Sequence, residues 1–376
     1  MGRRAAWLLA LLPALAGCFG GSGAGPQPAA LAPLTSAHGP KLEWSADTGA
    51  AEDFVFGPAV VDDAVFVASR RGEVTRLDAA TGRRRWHVSL DTKLSAGVGA
   101  GQDTVTVASD EGEVFALEAQ SGKLRWRVRV SSEVLASPKI ADGQVLVRSA
   151  DSRIHALAVA DGKRRWMYQR TPASLRLRTA QGLAVSEGQV YAGFSNGKLV
   201  ALALDTGALR WEATVAVPKG STELERVTDV VGDPAVPGRE VCAVAYQGRV
   251  ACYDTHGGSQ LWARESSSVT GVSTDARYAY ISDDQGVVQA LDRSTGRSFW
   301  KQDRLARRRL SLPLPVGEVI VVGDFEGYVH LLSRDTGALV GRAKTDGSEI
   351  RAAPVSLPDG GFLVQTQDGG LFALRP

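Results

Sequence analysis

At 376 residues the chain would ordinarily divide into two or three domains of about 150 residues each. Its composition argues instead for one all-β body: 42 glycines, only 2 methionines, 44% apolar residues and 22% charged residues of both signs. Disorder, collagen and coiled coil are excluded on that composition. The 43 basic and 41 acidic residues leave a formal charge of +2, and Arg3 and Arg4 account for the whole excess. A chain otherwise balanced in charge gives no support to a nucleic-acid partner, which would want a clustered basic surface.

In chain order, Arg3 and Arg4 precede an apolar run from Ala5 to Leu12, which Pro13 breaks and Leu15-Ala16-Gly17-Cys18 closes. A basic start, a short apolar core and small residues before a cleavage point describe a secretory signal peptide over residues 1–17. The apolar run falls short of the roughly 20 residues that cross a bilayer. LAGC resembles the bacterial lipobox, and that resemblance implies cleavage before Cys18 and diacylglyceryl attachment to its sulfur. Several acyl chains, at about 0.8 kcal/mol per buried methylene, anchor a folded body stably. Phe19 replaces the aspartate that would retain a lipoprotein at the inner membrane, so the expected address is the periplasmic face of the outer membrane. Residues 18–40 are then rich in Gly, Pro, Ser and Ala without periodicity, and read as a lipidated cysteine followed by a flexible linker.

Beyond residue 40 the sequence repeats itself. A tight turn with tryptophan four residues after its glycine recurs as TGRRRW at Trp86, SGKLRW at Trp126, DGKRRW at Trp166, TGALRW at Trp211, GGSQLW at Trp262 and TGRSFW at Trp300. TGALVG continues the series with Gly341 in the tryptophan's place, and Trp44 ends an orphan copy that has no preceding strands. Two-residue hairpin turns between alternating apolar strands recur eight times, from Arg71-Gly72 to Asp368-Gly369. A unit of about 40 residues holding four short strands is a propeller blade. The prediction over residues 41–376 is therefore an all-β, eight-bladed β-propeller of four-stranded antiparallel blades. The last blade lacks an outer strand, and Lys41-Leu42-Glu43-Trp44 supplies one, so N- and C-terminal strands close the ring together. One tryptophan at the same place in each blade reads as packing between blades.

The repeat is broken in two adjacent places. Successive tryptophans from Trp86 to Trp300 are spaced 40, 40, 45, 51 and 38 residues apart. Insertions at equivalent places in neighbouring repeats emerge on one face, commonly the binding face. The first, Gln169 to Arg178, alternates Leu175 and Leu177 with arginines; its leucines either face a partner or tuck onto a blade. The second, Lys219 to Pro237, carries GSTELERVTDV, with one helical turn as the expectation. Cys242 and Cys252 flank the Gln247-Gly248 turn, where a cross-strand disulfide and a pair of buried thiols both satisfy the pattern. The run RLARRRL at residues 304–310 reads as a solvated connection between blades, with a lipid-surface role as the alternative.

Catalytic and metal-binding patterns are not found. The five histidines are scattered without ligand spacing, and no Ser-His-Asp pattern, HExxH, phosphate loop or CxxC occurs. The repeat ALDxxTGxxxW is similar to that of the quinoprotein dehydrogenases, which hold pyrroloquinoline quinone and calcium. Those enzymes are much longer and carry an adjacent cysteine pair over the cofactor, which this sequence lacks. No enzyme activity, cofactor or metal is expected.

With its lipobox and ALDxxTGxxxW repeats, the chain resembles the BamB family, the propeller lipoproteins of the outer-membrane β-barrel assembly machinery. The resemblance rests most specifically on SLRLR at 174–178, GSTELERVTDV at 220–230 and VVGDFEGYVHLLSRDTGALV at 321–340. It implies a non-enzymatic scaffold that docks on the periplasmic POTRA domains of the BamA barrel subunit and assists barrel insertion. Other assembly lipoproteins and unfolded barrel proteins are further implied partners. Carried over residue by residue, the partner contacts fall on Leu175, Leu177, Arg178 and Asp229. The family often has a second acid where this chain has Val231. An envelope scaffold with a different partner is the alternative reading, since propellers host many.

Overall fold

The structure, a computed structural model, describes residues 27–34 and 39–376. Eight antiparallel sheets follow one another around a ring, and the first seven are each entered by the inner strand and left by the outer one. Blade 1 runs from Ala59–Val61 to Arg84–Ser89, and blade 7 from Leu314–Val316 to Leu339–Lys344. Blade 8 takes Val355–Ser356, Phe362–Gln365 and Gly370–Arg375 from the end of the chain and Lys41–Asp47 from its start. Lys41 pairs with Arg375 and Asp47 with Gly370, so the ring is closed as the orphan repeat predicts. Blade 2 departs from the four-stranded plan, because Val55–Phe56 adds a fifth strand parallel to Leu94–Gly101.

The core lies between blades. Each buried cluster draws on two neighbours around the ring, and the cluster of Val65, Val67, Leu363 and Leu371 joins blade 8 to blade 1. Alternation along each strand explains this arrangement, since both faces of a blade meet another blade.

The tryptophans latch one blade to the next. In each outer strand one extra residue bulges just before the tryptophan, or before Gly341 in blade 7, as between Leu124 and Trp126, and such a bulge re-aims the following side chain. The indole then lies across the turn glycine of the next blade. A Cβ on Gly258 would sit 2.6 Å from Trp211, and one on Gly122 would sit 2.9 Å from Trp86. Each indole Nε1 donates to a carbonyl of that next blade: Trp86 to Ala119 at 2.9 Å, Trp126 to Val159 at 2.8 Å, Trp211 to Thr255 at 2.8 Å. Trp44 makes the same contact with Ala79 at 3.0 Å across the closure. The repeat's TG turn is thus the receptor of the preceding blade's indole. Blade 8 has no such turn, because its third strand is Gly370–Arg375 and its fourth is Lys41–Asp47, from opposite ends of the propeller. Gly341 of blade 7 therefore has nothing to latch, which explains the missing tryptophan.

Cys242 and Cys252 face each other directly in the second and third strands of blade 5 and form a fully buried disulfide.

Candidate functional site

Strands alternate in direction within each blade, so the blade-to-blade connections and the hairpins at positions such as Arg71-Gly72 share one face of the ring. The two long connections lie on this face. The first leaves blade 3 at Gln169 and enters blade 4 at Leu183; the second leaves blade 4 at Thr214 and enters blade 5 at Val230. The second insertion is shorter than the sequence suggests, because Val230–Ala235 is the inner strand of blade 5. It contains a single turn closed by reciprocal capping. Glu225 accepts from the amides of Ser221 and Thr222 at 2.8 and 3.0 Å, and Thr222 Oγ1 accepts from the Glu225 amide at 3.2 Å.

The two loops are joined. Asp229 Oδ2 accepts from the backbone N–H of Leu177 at 2.7 Å. Asp229 itself is 1% exposed, so it is no surface contact but the post to which the first loop is tied. Burial pushes its carboxyl up from the ordinary carboxylate value, against the opposing pull of the Leu177 amide and of Arg176 and Arg148. Arg148, in the second strand of blade 3, is buried as well. Its guanidinium donates to Gln181 Oε1 at 2.7 Å and to Gly193 O, and lies 4.4 Å over the Phe194 ring. Burial pulls it down to about 9 while Asp229 supports its charge, so it remains a cation at neutral pH.

The four residues carried over from the family therefore divide into two kinds. Leu175 is 41% exposed on the loop, with no core to enter. Leu177 is half-buried and packs on the cluster of Val231, Val244 and Val272 between blades 5 and 6. Arg178 is exposed, pairs with Glu133 at 2.9 Å and lies 5.2 Å over Phe54. Around them lies a shallow hollow of about 160 Å³ lined by Glu133, Leu135, Arg148, Arg176 and Thr179. Arg148, Glu133 and Phe54 were missed in the sequence. Each sits in a different blade or connection, with nothing in its local pattern to single it out. Val231 is 2% exposed in the core, so the family's second acid has no counterpart on this surface. Asp233 lies two residues further on and pairs with Lys139 of blade 3 at 2.6 Å.

The family model for outer membrane protein assembly factor BamB matches residues 36–91 and 70–302. The chain belongs to the BamB family. A relative from Alkalilimnicola ehrlichii, named outer membrane protein assembly factor BamB, is 51% identical over 88% of this chain and 87% of its own. The BamB of Bordetella pertussis is 41% identical over 99% of this chain and 97% of its own. Among solved structures, BamB from Moraxella catarrhalis superposes with a TM-score of 0.82 at 27% identity, over 90% of this chain and all of that one. The quinohemoprotein alcohol dehydrogenase of Comamonas testosteroni has a TM-score of 0.68 at 14% identity, over 89% of this chain and 76% of its own. It shares the fold alone.

Proposed function

We propose that this BamB-family chain is a non-enzymatic scaffold of outer-membrane β-barrel assembly, anchored through Cys18 at the periplasmic face of the outer membrane. It binds the POTRA domains of the BamA-type barrel subunit through the face carrying the two inserted loops. The observation that carries this reading is the bond from the Leu177 amide to buried Asp229. It makes two loops into one fixed surface, with Leu175 and Arg178 turned outward. A fixed apolar side chain beside an exposed guanidinium suits a partner that buries one and pairs with the other. Ordering cost at binding is small, because the loop is held before the partner arrives. Leu177 and Asp229 act as positioning residues, Leu177 by seating on the blade 5–blade 6 core and Asp229 by holding its amide.

Co-purification from envelope membranes tests the assignment. Leu175→Asp is expected to abolish recovery of the barrel subunit while the melting temperature stays unchanged, because Leu175 supports no core. Undiminished recovery would remove this surface from the function.

A further inference from the structure

The segment read as a free linker is seated on the propeller. The Ala29 N–H donates to Ala306 O at 2.9 Å, in the connection between blades 6 and 7. Arg308 Nη1 donates to Ala29 O at 3.1 Å, and Arg342 Nη1 donates to Ala32 O at 3.3 Å. Leu31 packs against the cluster of Tyr278, Trp300, Leu305 and Leu310 between those two blades.

The two arginines that grip these carbonyls are held from behind by one buried network. Asp324, fully buried, receives Arg308 Nε at 2.7 Å and His330 Nε2 at 2.8 Å. His330 Nδ1 accepts from Arg342 Nε at 3.3 Å. Arg308 also lies 5.1 Å over Phe325. The network thus orders two long side chains before the segment docks, and removes most of the entropy cost of gripping it. This is the part of the RLARRRL run that a solvated connection does not account for. Arg308 is 3% exposed, whereas Arg304 and Arg307 beside it are exposed.

We propose that residues 27–34 form a docked strap that ties the anchor to the edge of blades 6 and 7. The lipid surface is then met by that edge, with Arg304 and Arg307 nearest the headgroup phosphates. This rests on the reading of Cys18 as the lipidated residue. Gln27 lies nine residues after Cys18, a reach of about 30 Å when fully extended. A free linker to Lys41 would reach more than twice as far and leave the ring to turn in any direction.

Two measurements on the full processed chain test the proposal. The first is amide hydrogen exchange of the peptide spanning residues 27–34. It is expected to be slower by at least about tenfold than in Leu31→Asp. That variant alters the strap and no blade, so it keeps the propeller's melting temperature. Equal exchange in the two chains would overturn the strap. The second is energy transfer to headgroup acceptors, with the chain held in phosphatidylglycerol–phosphatidylcholine vesicles by its own anchor. Donors are placed at Val340→Cys in blade 7 or at Arg165→Cys, the equivalent position across the ring in blade 3. Transfer is expected to be stronger from blade 7, and Leu31→Asp should bring the two donors together. Equal transfer in the unaltered chain would overturn the orientation even if the strap is protected. A chain without acyl chains by mass, or one that leaves the vesicles, would remove the anchor and the orientation with it, while exchange still reports on the strap.

Discussion

Asp229 is where a single residue controls the candidate surface. Its carboxyl lies above the ordinary 3.8 because of burial. The folded state therefore holds this proton more tightly than the unfolded state, so the cost of ionising Asp229 is absent at low pH and complete at pH 7. Asp229→Asn removes that cost and keeps an oxygen for the Leu177 amide. Its melting temperature at pH 7 is expected to match or exceed that of the unaltered chain. Asp229→Ala leaves the amide without an acceptor and is expected to cost about 1–3 kcal/mol in urea unfolding. The histidines set the opposite slope. Burial holds His155 and His330 below the ordinary 6.5, so the unfolded chain takes up protons there that the folded chain refuses. Stability is therefore expected to fall as pH drops through 6.5, and His330→Gln should flatten the melting-temperature profile below that pH.

Each blade is held to the next by the tryptophan that ends one repeat and the glycine that turns the next. Trp211→Ala removes a buried indole, and the expected cost is about 3–5 kcal/mol by denaturant titration. Gly258→Ala reaches the same junction from its other side. Its φ is +68° and its Cβ would sit 2.6 Å from the Trp211 ring. The left-handed backbone alone costs about 1–2 kcal/mol, so a loss greater than that is expected in the same titration. These junctions explain why the fold was legible. The spacing of TG and W is the sequence trace of a contact made identically in successive blades, and eight hairpins fix the number of sheets. The candidate site was legible only in part. Leu175, Leu177 and Arg178 lie in a visible insertion, but nothing local marks Asp229 as buried or as the acceptor of the Leu177 amide, 52 positions away in the chain. The strand Val230–Ala235 was hidden inside the second insertion, because Gly232 and Pro234 interrupt its alternation. The seat of the linker was invisible for a related reason. Its hydrogen bonds use backbone groups of alanines, whose side chains carry no signal.

For the molecule as a whole, closure is the decisive element. Deleting Lys41–Asp47 removes the outer strand of blade 8 and, with it, Trp44's latch on blade 1. The shortened chain is expected to lose its cooperative melting transition and to aggregate through the uncovered edge of Gly370–Arg375. A monomer that melts as sharply as the intact chain would show that a three-stranded blade 8 suffices.

The pairing of Lys41 with Arg375 also imposes an order on biosynthesis. Blades 1 to 7 are each complete once their own stretch of chain has emerged, but the first strand has no partner until Gly370–Arg375 has been made. Such a contact is strongly non-local, and contacts of that kind form late. Closure thus works as a completeness check: a product stopped short by even one strand stays open and is exposed to proteolysis.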